Sequence, residues 1–173
     1  RKNFGNGRIN MDVASHGLWG GVTFGRKNRR SFWWAFFFGV APDFFSFGAF
    51  FLSVFIGIES WPPFSGEPPD PSLIPAYISN LYNFSHSLVV FAAAFLLVWL
   101  IRQRPFWEMS AWGLHVLFDI FTHSYAFFPT PFLWPLSGFK FNGWPWTNPF
   151  IFWPNLIILA ILYLWFFAVR RKR

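Results

Sequence analysis

Apolar residues run almost unbroken through three stretches of the chain. Residues 150–169 carry no charge and are followed by four basic residues, Arg170 to Arg173. About 20 residues at 1.5 Å per residue match the bilayer core, so this run predicts a spanning helix with a basic stop. Ser31 to Ile58 holds one charge, Asp43. As a helix of about 42 Å it exceeds that core, and Pro42 with its neighbouring glycines predicts a kink or a break. Asn83 to Ile101 is the third run, closed by Arg102.

Two weaker elements complete the pattern. A helix is expected from Pro105 to about Phe128, less purely apolar, holding Glu108, His115, Asp119 and His123. Glu108 sits at its start and reads as a solvated residue. Ile9 to Gly25 is short for a span, with Asp12 as its expected N-cap; it either crosses or re-enters halfway. Residues 59–76 and 129–149 are rich in proline and aromatics and lack helical period. The first of these is acidic, without lysine or arginine, which puts it on the non-cytoplasmic face. The second suits the interface belt and is long enough to fold over a site. Residues 1–10 read as an N-terminal extension before Met11. The expectation is one transmembrane domain over 1–173, an all-α bundle of about five helices.

Composition agrees. Of 173 residues 54% are hydrophobic, 25% aromatic and only 12% charged, about half the charge of a soluble domain. The net charge of +7 does not point to nucleic acid, because the basic residues cluster beside apolar runs: Arg26 to Arg30, Arg102 with Arg104, and Arg170 to Arg173. That is the pattern of cytoplasmic anchors, and it puts the C-terminus in the cytoplasm. Membrane lipids are the expected surroundings and partners. There is no cysteine, so thiolate chemistry is excluded.

The informative residues are polar ones inside these segments. All four histidines, His16, His86, His115 and His123, lie there, as do Asp43 and Asp119. Ionisable groups at membrane depth cost several kcal/mol and mark functional sites or polar cavities. His115, Asp119 and His123 are spaced i, i+4, i+8, which puts them on one helix face. Counted from the basic clusters at 1.5 Å per residue, all six lie about 15 to 28 Å deep, in one band. Imidazole with carboxylate is a ligand set for zinc, iron or manganese, with zinc the default where sulfur is absent. One or two ions are compatible with so many donors. Ser15, Ser85, Ser87 and Thr122 flank histidines and are candidate partners of the ligands. Axial haem ligation by paired histidines is an alternative, but it leaves both aspartates without a purpose.

The motifs also carry a resemblance. Met11-Asp12 with Ser15-His16 and Gly20 looks like the opening Met-Asp-x-x-Thr-His-x-x-x-Gly of the membrane-bound metal-dependent hydrolases, the YdjM-like inner-membrane family. Pro42-Asp43 resembles its Leu-Pro-Asp, Ser85-His86-Ser87 its Thr-His-Ser, and His115 to Thr122 its His-x-x-x-Asp-x-x-Thr. Pro129 to Ser137 is similar to the segment that follows. The ordered set covers 11 to about 137. The resemblance implies metal-site roles for His16, Asp43, His86, His115 and Asp119 in a bacterial or archaeal inner membrane. It departs at Phe45 and Tyr82, where the family often has an aspartate and an arginine.

The function expected on these grounds is a membrane-embedded metal-dependent hydrolase acting on a lipid or lipid-linked phosphoester. Asp119 and His123 would serve proton transfer beside the metal ligands. The alternative is a catalytically degenerate member kept as an accessory subunit of a larger membrane complex, to which the load of 28 Phe and 12 Trp is suited.

Overall fold

The computed structural model describes residues 10–60, 74–126 and 128–170. The described residues are helical, without a strand. Six helices follow in order: α1 (Asn10–Phe24), α2 (Arg29–Phe55), α3 (Ala76–Ser85), α4 (Leu88–Arg102), α5 (Ser110–Thr122) and α6 (Pro149–Arg170). A 3₁₀ turn, Trp107–Met109, leads into α5.

Two helices, α2 and α6, are long and apolar enough to cross a membrane, which marks a membrane protein. The bent pair α3 and α4 makes a third span if it is counted as one. Two or three spans replace the bundle of about five expected. The reason is length: α1 has 15 residues and α5 has 13, about 20 Å each. Neither reaches across a core of about 30 Å. They are instead packed against α2 and carry polar residues inward.

Three further expectations are corrected. Asn83 to Ile101 is not one helix, because the chain bends by 57° between α3 and α4. The break has a local cause. Ser87 is extended (φ −103°, ψ 127°), and its hydroxyl accepts from the Val89 and Val90 N–H groups, so it caps a new helix. Pro42, in contrast, does not end α2, which continues through it. Asp12 lies within α1 rather than capping it. The expected extension falls almost entirely, and the 59–76 loop largely, outside the described residues.

Close approach of α1 to α2 rests on glycine. A Cβ on Gly39 would strike the His16 carbonyl, and one on Gly20 would lie 2.5 Å from the Ala35 carbonyl oxygen. Removing side chains there lets backbones touch, the usual device of packing in lipid. At the start of α2, Ser31 Oγ donates a 2.6 Å bond to Glu108, which is buried rather than solvated as expected. α6 is tied to α1 by Asn155, which accepts from Trp19 Nε1 (2.7 Å) and donates to Ser15 Oγ (3.0 Å). Tyr163 adds a bond to the Leu18 carbonyl. The outer faces of α4 and α6 remain apolar and exposed, with Leu97, Ile101, Trp153 and Leu164 among them.

Gly39→Ala is expected to lower thermal stability in detergent by roughly 1–3 kcal/mol, since the added methyl group must part α1 from α2. A melting transition unchanged from wild type would show that the two backbones are not in tight contact.

Candidate metal centre

Three segments bring four residues to one buried point. Asp43 comes from the middle of α2, His86 from the break between α3 and α4, and His115 and Asp119 from successive turns of α5. The two aspartates reach it differently. Asp119 is 1% exposed, while the Asp43 side chain retains 13%. One donor atom from each residue lies within 4.8 Å of every other.

The separations can be judged against coordination geometry. His86 Nε2 stands 3.1 Å from His115 Nε2 and 3.3 Å from both Asp43 Oδ1 and Asp119 Oδ2. His115 Nε2 stands 3.0 Å from Asp119 Oδ2 and 3.8 Å from Asp43 Oδ1. A tetrahedron of donors at about 2.0–2.1 Å from an ion has edges of roughly 3.4 Å. These five edges scatter around that value.

The imidazoles are held in the ligating orientation. His115 Nδ1 donates to the Gly39 carbonyl (2.7 Å). A carbonyl only accepts, so in the neutral ring Nε2 carries a lone pair, and it is aimed at the centre. His86 Nδ1 lies 2.9 Å from Ser85 Oγ and 3.3 Å from the Tyr82 carbonyl, the same arrangement. With both Nδ1 atoms donating, the two Nε2 atoms 3.1 Å apart face each other as lone pairs. Both Asp119 oxygens are buried, and the groups that face them are imidazole nitrogens, His16 Nε2 on Oδ1 and His115 Nε2 on Oδ2, each at 3.0 Å. Two carboxylates 4.8 Å apart or less repel by roughly 3 kcal/mol or more at an effective dielectric constant of 20. A divalent cation answers all three at once, so the residues present fit one.

His16 and His123 stand beside this group. His16 Nε2 is 3.0 Å, and His123 Nε2 3.7 Å, from Asp119 Oδ1. His123 is not on the α5 helix as the i, i+8 spacing predicts. It is the residue after it, extended (φ −108°, ψ 148°), with Nδ1 on the Phe128 carbonyl (3.1 Å). The helix ends at Thr122, about six residues before the end expected near Phe128, yet the ring still reaches Asp119.

Of the flanking hydroxyls, Ser85 touches its histidine. Ser87 instead caps α4 and donates to the Trp134 carbonyl, and Thr122 bonds back to Phe118 O in its own helix. Phe45 is 50% exposed, so a carboxylate at that position would lie away from the four donors. Tyr82 is the part that sequence reasoning undervalued. Its ring stacks on His86 at 3.8 Å and its hydroxyl donates to the Phe128 carbonyl. Asn155 was also missed, although an amide in an apolar span is a readable signal. The His115 ring lies 3.9 Å from that of His16 and 5.0 Å from that of His86, centroid to centroid, with no porphyrin-sized gap within either pair.

The 129–149 segment crosses the end of this site. Gly143, Trp144 and Trp146 donate backbone bonds to the carbonyls of His123, Phe121 and Thr122. Phe132 O accepts from Leu88 N just beyond the His86 break.

No family model, no curated protein and no solved structure matches the chain. What is established is the class: a helical membrane protein with a buried Asp/His/His/Asp group able to hold a metal ion, whose identity the donors alone leave open.

Wild-type protein is expected to retain divalent metal through purification without chelator, and His115→Ala/Asp119→Ala to retain none, by elemental mass spectrometry. Equal metal content in both would dissociate the ion from these residues. Ser85→Ala is expected to weaken affinity about 10-fold or more, as loss of a ligand's hydrogen-bond partner commonly does.

Proposed function

We propose that this chain is a metal-dependent hydrolase of the membrane acting on a lipid or lipid-linked phosphoester. We place it with the membrane-bound metal-dependent hydrolases that its motifs resemble. The observation that carries the reading is the buried Asp43–His86–His115–Asp119 group, whose nitrogens are oriented as ligands. A divalent cation, zinc by the absence of sulfur donors, would supply Lewis acidity toward a phosphoryl oxygen and a lowered pKa for attacking water.

The chain's own residues set the conditions for that chemistry. His86 and His115 hold their lone pairs inward through Tyr82, Ser85 and Gly39. Tyr82 covers the His86 ring and excludes water from that side. Asp43, the most exposed of the four, is the residue at which substrate and the departing proton meet solvent. A substrate with an apolar tail suits a centre reached through helices whose outer faces are lipid-like.

The orientation proposed follows the basic clusters. Arg26, two residues past α1, lies over the Trp165 ring in the C-terminal part of α6 (5.4 Å), which brings the Arg26 to Arg30 cluster to that part of α6. That end is the cytoplasmic one under the positive-inside rule, in a bacterial or archaeal inner membrane.

A second reading, an accessory subunit with a silent centre, draws on the exposed aromatics Phe44, Phe55 and Phe150. Lipid contact accounts for these equally well. A stoichiometric partner retained in mild detergent would support the subunit.

Purified protein is expected to hydrolyse a lipid phosphoester in detergent. Chelator should abolish the activity, added zinc or manganese restore it, and His115→Ala remove it. Full activity in His115→Ala would contradict the assignment.

A further inference from the structure

Only Oδ2 of Asp119 belongs to the four-donor group. Its Oδ1 faces two other imidazoles, His16 Nε2 at 3.0 Å and His123 Nε2 at 3.7 Å. These rings come from two separate places, α1 and the residue just after α5, and converge on the one oxygen that the four-donor group does not use.

We infer that Asp119 bridges two divalent cations: one in the Asp43–His86–His115 group, and a second held by Asp119 Oδ1, His16 and His123. The inference rests on the hydrolase reading for the first ion and extends it. His123 then serves as a ligand rather than as the proton carrier expected from sequence.

Three observations support the second site. Donor pairs sharing an ion at about 2.0–2.1 Å lie roughly 2.9 Å apart at a right angle and about 4.1 Å apart when opposed; 3.0 and 3.7 Å fall inside that range. His123 Nδ1 bonds the Phe128 carbonyl, the device that points His115 Nε2 at the first site. The third observation is coordinative. The first group has four protein donors, whereas the second has three, the number typical of a catalytic ion that keeps a position open. Space exists on that side. A cavity of about 210 Å³ between α1, α5 and α6 is lined by Ser15, His16 and Thr122 at polar points and by Trp19, Phe118 and Phe152 elsewhere.

Charge then selects the ligand class. Two divalent ions against two carboxylates leave an excess of about +2 in a low-dielectric site, which favours an anionic group. A phosphoester headgroup with its apolar tail in the cavity satisfies both features. Paired ions clamping the oxygens of a phosphoryl group are a recurrent solution for such substrates.

The test uses the full chain in detergent, loaded with manganese(II) and freed of excess ion. Wild type is expected to hold about two equivalents and to show an exchange-coupled electron paramagnetic resonance spectrum. His16→Ala and His123→Ala should each hold about one, with the spectrum of isolated ions. His16→Gln and His123→Gln repeat the measurement should an alanine variant lose its cooperative melting transition. About one equivalent in wild type, or two coupled ions in both variants, overturns the bridge while leaving the proposed function standing. A wild type that binds no manganese or zinc overturns both.

Discussion

Two carboxylates and two lone-pair imidazole nitrogens are pressed together inside an apolar helical protein, and most of the architecture follows from that. Left alone, Asp43 and Asp119 repel each other where water does not screen them, and His86 and His115 face each other nitrogen to nitrogen. Buried charge of this kind is tolerated only when it is paired or coordinated. A cation converts the same contacts from repulsive to attractive, so its binding energy becomes folding energy for the segments that converge on it.

The surrounding fold is arranged to permit that convergence. α1 and α5 are too short to span a bilayer, which lets them present His16, His115 and Asp119 within it. The α3–α4 break turns His86 inward while Ser87 restarts the helix and satisfies its first N–H groups. Gly39 has two roles: its missing side chain admits the α1 backbone, and its carbonyl orients His115. The glycine contact and the metal group are therefore mechanically linked, and changes in α1–α2 packing should be felt at the ligands.

Much of this was legible in the chain. The uncharged run before Arg170 and the long run after Ser31 announce α2 and α6, because only a spanning helix needs such length. Histidine and aspartate inside apolar runs pointed to one buried cluster, and the i, i+4 spacing correctly put His115 and Asp119 on one face. Periodicity misled at the ends of elements. It carried α5 through His123 and ran α4 back to Asn83, since neither break is marked by proline or glycine. The serine cap at 87 was the available sign. The count of spans was too high because α5 was carried on to about Phe128 and the short α1 was counted with the bundle, whereas they have 13 and 15 residues. Tyr82, Asn155 and the backbone carbonyls of Gly39 and Phe128 act through three-dimensional proximity, which a linear pattern does not encode.

The central claim is that the Asp43–His86–His115–Asp119 group is a metal centre. X-ray absorption at the metal edge tests it most directly, on full-length protein purified without chelator. The account predicts nitrogen and oxygen neighbours at about 2.0–2.1 Å, no sulfur, and the outer-shell scattering of imidazole rings. Oxygen neighbours alone, without imidazole scattering, would mean that the ion sits elsewhere, and the histidines would then be packing residues.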